Sequence, residues 1–147
     1  MSRLNRFFFA GAHGPGDILQ LDAERSNYLC RVLRMREQEE VDIFDGEGGL
    51  YRCQVSKAHQ RRAQIRVVEQ IVSIERPKQA PSLAMALLKG QAMDRAIAQA
   101  TELGVQQIWL LQTDRSNLPL KGERLDQKLG HWLRIIASAS ERCGQTW

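Results

Sequence analysis

The 147-residue chain carries 21 lysines and arginines against 17 aspartates and glutamates, with three cysteines and three histidines, and 43% of its residues are apolar. These proportions exclude a disordered polymer, and no run approaches the roughly 20 apolar residues of a membrane-spanning helix. Cys30, Cys53 and Cys143 are odd in number and lack CxxC spacing, which argues against a disulfide framework or a metal site. The net charge of +4 permits nucleic acid as a partner without demanding it.

In chain order, Phe7-Phe8-Phe9-Ala10 is too short for a signal-peptide core, so the chain reads as cytoplasmic. Arg6–Phe9 and Asp17–Leu21 are short strand candidates. Ala23–Met35 places Tyr28, Leu29, Val32 and Leu33 at helical spacing. Val41–Phe44 alternates, as do Tyr51, Cys53 and Val55 with Arg52, Gln54 and Ser56. Ala63–Ile71 puts Ile65 and Val67 on one face. Between two of these runs, Asp45-Gly46-Glu47-Gly48-Gly49 supplies the positive φ of a hairpin with a bulge. Five or six short strands in about 70 residues predict a small closed or nearly closed barrel over 1–72.

Residues 73–81, with Pro77 and Pro81, read as a linker. Beyond it the period changes. Leu83–Leu88 and Ile108–Leu111 are apolar on both faces, as buried parallel strands are. Asp94–Leu103 is helical between them and ends at Gly104. Glu123–Cys143 is a long amphipathic helix with Leu125, Leu129, Trp132, Ile136 and Ser140 on one stripe and Gly144 as its stop. Strand, helix, strand is a βαβ unit, so the whole reads as a two-domain α+β chain. Two parallel strands do not make a stable domain. The pattern of 82–147 therefore predicts either further strands beyond Trp147 or completion by a partner, with the former favoured.

No GxGxxG, P-loop, HExxH or GxSxG string occurs, and His13, His59 and His131 are isolated. The basic positions carry more. Arg31 and Arg34 share a face if Ala23–Met35 is helical, and with Arg25, Arg36 and Arg6 they form a candidate phosphate-binding surface. Glu37, Glu39 and Glu40 close by support the plainer reading of a solvated charged face. Residues 1–76 hold 12 basic and 11 acidic groups, and residues 77–147 hold 9 and 6. Glu102 sits unfavourably at a helix C-terminus, which suggests a cationic partner such as Lys89 or Arg115. Arg115 and Ser116 follow the second apolar strand, at the carboxyl edge where open α/β sheets place their sites.

Several strings stand in the order and spacing of one family: Tyr28-Leu29-Cys30-Arg31-Val32-Leu33-Arg34-Met35, Phe44-Asp45-Gly46, Ala100-Thr101-Glu102-Leu103-Gly104-Val105, Arg115-Ser116, Glu123-Arg124-Leu125 and Glu141-Arg142-Cys143-Gly144. Along essentially its whole length the chain resembles the RsmE family, bacterial methyltransferases acting on N3 of a uridine in 16S ribosomal RNA. The resemblance implies a PUA-like barrel joined to an α/β domain of the knotted SPOUT type, S-adenosylmethionine as cofactor, no metal, a homodimer, and the small ribosomal subunit as partner. It implies Arg6, Arg31 and Arg34 as RNA-binding residues. Lys89, Glu102, Arg115 and Ser116 would support the active face. The family's glycine-rich cofactor segments lie beyond Trp147, so the resemblance places no cofactor-binding residue in this chain, implies a truncated second domain without its knot, and suggests about 90 further residues. The chain departs from the family at Tyr28, often His, at Arg36–Glu39, usually a glycine turn, at Gln99, commonly basic, and at Gln145, commonly Arg. A non-catalytic RNA-binding module is the alternative reading.

Overall fold

The computed structural model describes residues 5–75, 77–114 and 121–146. The chain divides into two units, Met1–Arg76 with Thr146–Trp147, and Pro77–Gln145.

In the first unit, β1 (Arg6–Phe8), β2 (Ile18–Gln20), β3 (Glu40–Phe44), β4 (Gly49–Lys57) and β5 (Gln64–Ser73) form one sheet in the order β1-β3-β4-β5-β2. The β1–β3 pair is parallel and the others are antiparallel. Alternation decides which faces are buried. Tyr51, Cys53 and Val55 of β4 and Ile65 and Val67 of β5 enter the core with Phe7, Leu21, Leu29, Val41 and Ile43. Register shifts along β4–β5 at Leu50/Tyr51, Arg52/Cys53 and Val55/Lys57 bend the hairpin. The result is a mixed half-barrel of five strands. The strand count predicts a closed or nearly closed barrel. Instead the ladder leaves β1 and β2 as edges, with no pairing between them among the described residues. β5 also runs to Ser73, one residue past the expected limit of the barrel.

The turn between β3 and β4 is built on Asp45, whose Oδ1 accepts from the Glu47 and Gly49 backbone N–H groups at 2.7 and 2.9 Å. Gly48 has φ +104°, and a Cβ there would collide with the Ile74 carbonyl, so only glycine fits.

The helical spacing read over Ala23–Met35 predicts one or two helical turns, and two short elements form there. An α-helix, α1, covers Ala23–Asn27, and a π-helical turn, Tyr28–Val32, follows. The Asp22 carboxylate caps α1 by accepting from the Arg25 N–H. Ser26 pins it from within: its hydroxyl donates to the Leu21 carbonyl at 3.2 Å and accepts from the Ala63 N–H at 2.9 Å. The Leu33 N–H then donates to the Tyr28 carbonyl and the Met35 N–H to the Leu29 carbonyl. Packing explains the widening. Leu29 is fully buried, and Cys30, Leu33 and Met35 lie on the same core. At 3.6 residues per turn Met35 would fall opposite Leu29 and Leu33. The wide turn and a left-handed Arg34, φ +55°, bring it back.

In the second unit, β6 (Ser82–Ala86) and β7 (Gln107–Leu111) pair in parallel, Ser82 opposite Gln107 and Ala86 opposite Leu111. Helix α2 (Gln91–Glu102) connects them. It ends as the sequence predicts, at Gly104 with φ +80°, and the Val105 N–H donates to the Ala100 carbonyl. Helix α3 covers Glu123–Cys143 and stops at a left-handed Gly144. Met93 and Ile97 of α2 and Trp132 of α3 form the core with Met85, Leu87, Ile108 and Leu110. Both helices thus cover the same face of the sheet. Burial on both faces was expected; instead Trp109 and Leu111, on the other face, are 59% and 45% exposed.

Candidate RNA-facing surface and strand-end site

The π-turn sorts its side chains by the inward pull of the core. Leu29, Cys30, Leu33 and Met35 turn in, while Tyr28, Arg31, Val32 and Arg34 remain exposed. Because the α-helix stops at Asn27 and Arg34 is left-handed, the two arginines do not share the α-helical face that their spacing predicts. Arg31 lies in the π-turn and Arg34 just beyond it, both exposed. Among the described residues no ion pair or side-chain hydrogen bond engages either guanidinium. Arg6 is half-buried on the edge strand β1. Its neighbour Phe7 meets the Tyr28 ring edge to face at 6.1 Å, so the π-turn packs beside that strand.

Two cations of this unit, Arg25 and Arg52, are committed. Arg25 lies 3.9 Å from Asp22 and 5.2 Å from the Phe9 ring centroid. Arg52 Nε donates to Asp42 at 2.7 Å and its Nη1 to Glu40 at 3.0 Å. The hydrogen bond to Asp42, itself buried, chiefly holds the Arg52 guanidinium above its ordinary pKa, against the opposing effect of burial. A second polar group surrounds Tyr51, whose hydroxyl donates to Asp45 Oδ2 at 3.1 Å. Burial, then that hydrogen bond, raises the phenol pKa. His13 packs edge-on against the Tyr51 ring at 5.5 Å and bonds through Nε2 to the Phe9 carbonyl at 2.9 Å. The sequence shows Asp45 only as a turn former and His13 only as a loop residue; no local string links them to Tyr51.

In the second unit Lys89 follows β6 at its carboxyl end and lines a pocket of about 90 Å³ with Leu87, Leu88, Gly90, Met93, Lys128 and Trp132. Lys128 is absent from the sequence-derived set because nothing in its own string marks it. Glu102 lies at the opposite end of α2, roughly 18 Å away for 12 residues. It pairs with Arg142 of α3 at 3.5 Å rather than with Lys89. The structure therefore separates Lys89 from Glu102. Arg115 and Ser116 lie outside the described residues. His131 Nε2 meets Asp94 Oδ2 at 2.9 Å, joining α3 to α2.

The pocket beside Lys89 is too small for S-adenosylmethionine, since sites for ligands of that size occupy several hundred Å³. Its lining offers two ammonium groups and apolar walls, and no side-chain acceptor for a ribose or an adenine edge. The residues present there do not fit the cofactor. No group of three or more His, Cys, Asp or Glu side chains gathers among the described residues. No described helix is long and apolar enough to cross a membrane.

Residues 21–68 match the RNA methyltransferase PUA domain, and residues 75–147 match the RNA methyltransferase domain. A ribosomal RNA small subunit methyltransferase E from Synechocystis is 32% identical over 130 residues, 86% of this chain and 40% of that relative. A methyltransferase from Legionella pneumophila, solved with bound SAM, superposes with a TM-score of 0.87 at 28% identity, over 98% of this chain and 60% of that one. A ribosomal RNA small subunit methyltransferase E from Neisseria gonorrhoeae, bound to S-adenosyl methionine, gives 0.86 at 26% identity, over 98% and 59%. The chain spans about half the length of the curated relatives it matches. With both domains matched in the family's order, the chain belongs to the ribosomal RNA small subunit methyltransferase E (RsmE) family and corresponds to its N-terminal portion.

Proposed function

We propose that this chain is the RNA-holding part of an S-adenosylmethionine-dependent enzyme that methylates N3 of a uridine in 16S ribosomal RNA, acting in the cytoplasm as a homodimer of the SPOUT type. The observation that carries this reading is the likeness over 98% of the chain to a SAM-bound methyltransferase of the small-subunit RNA. The residues that bind the cofactor belong, in this reading, to the part of the relatives that the chain does not span.

The chemistry divides the labour. N3 of uracil carries a proton and faces its pairing partner, so the base must be unpaired and held in line with the donor methyl. The sulfonium cofactor, when bound, supplies an electrophilic methyl and a positive charge that favours the deprotonated imide. The chain's own residues hold the RNA. Arg31 and Arg34, exposed and unengaged, meet phosphates on the half-barrel, with Arg6 on the neighbouring strand. Lys89 and Lys128 add positive charge at the carboxyl end of β6. Glu102, paired with Arg142, steadies α2 against α3. Arg115 and Ser116 complete the proposed set of supporting residues.

The natural gene product containing this chain, incubated with S-adenosylmethionine and small subunits lacking the modification, is expected to yield 3-methyluridine in a nuclease digest. Absence of transfer to any ribosomal RNA uridine refutes the assignment. The 147-residue chain alone is expected to give no heat on titration with S-adenosylmethionine, and a saturating isotherm would place a cofactor site within it.

A further inference from the structure

We propose that the π-turn Tyr28–Val32, with its left-handed exit at Arg34, is a stacking contact for one unpaired base: Tyr28 is the platform, and Arg31 and Arg34 hold the adjoining phosphates. This deepens the RNA reading above and rests on it.

Three observations converge on the turn. Tyr28 is 44% exposed although it is aromatic and lies beside the core, and its edge-to-face packing on Phe7 fixes the ring without covering it. A ring fixed in this way loses little side-chain entropy when a base stacks on it, and stacking is the contact by which proteins take hold of unpaired nucleotides. Arg31, three residues on, and Arg34, at the exit of the turn, are exposed and carry guanidiniums that no carboxylate engages among the described residues, whereas Arg25 and Arg52 of the same unit are paired. Finally, Arg34 holds φ +55°, a conformation in which a long side chain is strained and glycine is not. An arginine kept where the backbone favours glycine points to work for its guanidinium.

Stacking and phosphate contact have different signatures. Stacking releases no counterions, so its loss weakens binding at every salt concentration equally. Loss of a phosphate contact flattens the salt dependence. The test uses the whole 147-residue chain and a short single-stranded RNA carrying 2-aminopurine, with the same sequence annealed as a duplex for comparison. Tyr28→Leu keeps an apolar group against Phe7 but removes the aromatic face. It is expected to weaken single-strand binding about tenfold with an unchanged salt slope, and to abolish the quenching of 2-aminopurine. Tyr28→Phe is expected to bind as the parent does. Arg34→Gly relieves the backbone and is expected to lower the slope of log affinity against log salt by about 0.7, one single-strand phosphate contact. Thermal melts of each variant confirm that the fold is retained, and Tyr28→Ala serves if the leucine variant unfolds. Parent-like affinity in folded Tyr28→Leu or Tyr28→Ala, or an equal loss on duplex and single strand, overturns the stacking contact and leaves the RNA reading standing. A parent chain that binds neither RNA overturns both.

Discussion

Cys53 is where a single side chain reports most directly on the core. It is buried on β4, and burial, with a smaller contribution from the nearby Asp42 charge, pushes its thiol from an ordinary 9.0 up to about 12. The folded chain keeps this proton where the unfolded chain releases it. The thiol's contribution to stability is therefore complete below about pH 9 and declines as the pH rises toward 12. Urea midpoints of the parent are expected to fall relative to those of Cys53→Val between about pH 8 and pH 10, and parallel midpoints would contradict the burial. Near pH 8, iodoacetamide is expected to label the half-buried Cys30 and Cys143 before Cys53, which should react only in denaturant. Peptide mass mapping over time reads this order. The sequence already carried half of this result, because Tyr51, Cys53 and Val55 alternate with polar neighbours. The Asp42–Arg52 pair beside them was not legible, since it links strands whose register no local pattern states.

At the scale of the element, α1 and the π-turn depend on one hydroxyl. Ser26→Ala removes both hydrogen bonds of a buried group and leaves the Ala63 N–H without an acceptor. The expected cost is about 1–3 kcal/mol, read from urea unfolding, and a loss near zero would mean that the helix is held elsewhere. Legibility varied with the punctuation of each element. The sequence bounds α3 at Glu123–Cys143 with Gly144 as its stop, and the helix has those limits. Gly104 likewise closes α2 where it should. Over Ala23–Met35 no glycine or proline intervenes, and the apolar positions suit a 3.6-residue period as far as Leu33. Only the demand of Met35 for the same core converts the turn, and that demand is tertiary. The apolar runs of β6 and β7 posed a different problem. They announce two apolar faces, whereas the position of α2 and α3 decides which face is covered.

For the whole molecule, two periodicities on either side of a proline-bearing stretch made the division into two units readable. The five-strand ladder was not, because β1 and β2 pair with strands far along the chain. That ladder has a consequence in time. Arg6 finds its register opposite Asp42, and Ile18 opposite Arg66, so the first strands to be synthesised are those that wait longest for a neighbour. The central β3–β4–β5 meander closes through short connections, and such local contacts form early, whereas distant ones pay a larger loop-closure cost. Pulsed hydrogen exchange during refolding is expected to protect the amides of β4 and β5 before those of Phe7 and Phe8, and protection of β1 in the first phase would refute this order. A nascent chain would thus carry Phe7, Phe8 and Phe9 unsheltered until β3 has emerged, which makes the aromatic N-terminal strand the segment most in need of a chaperone.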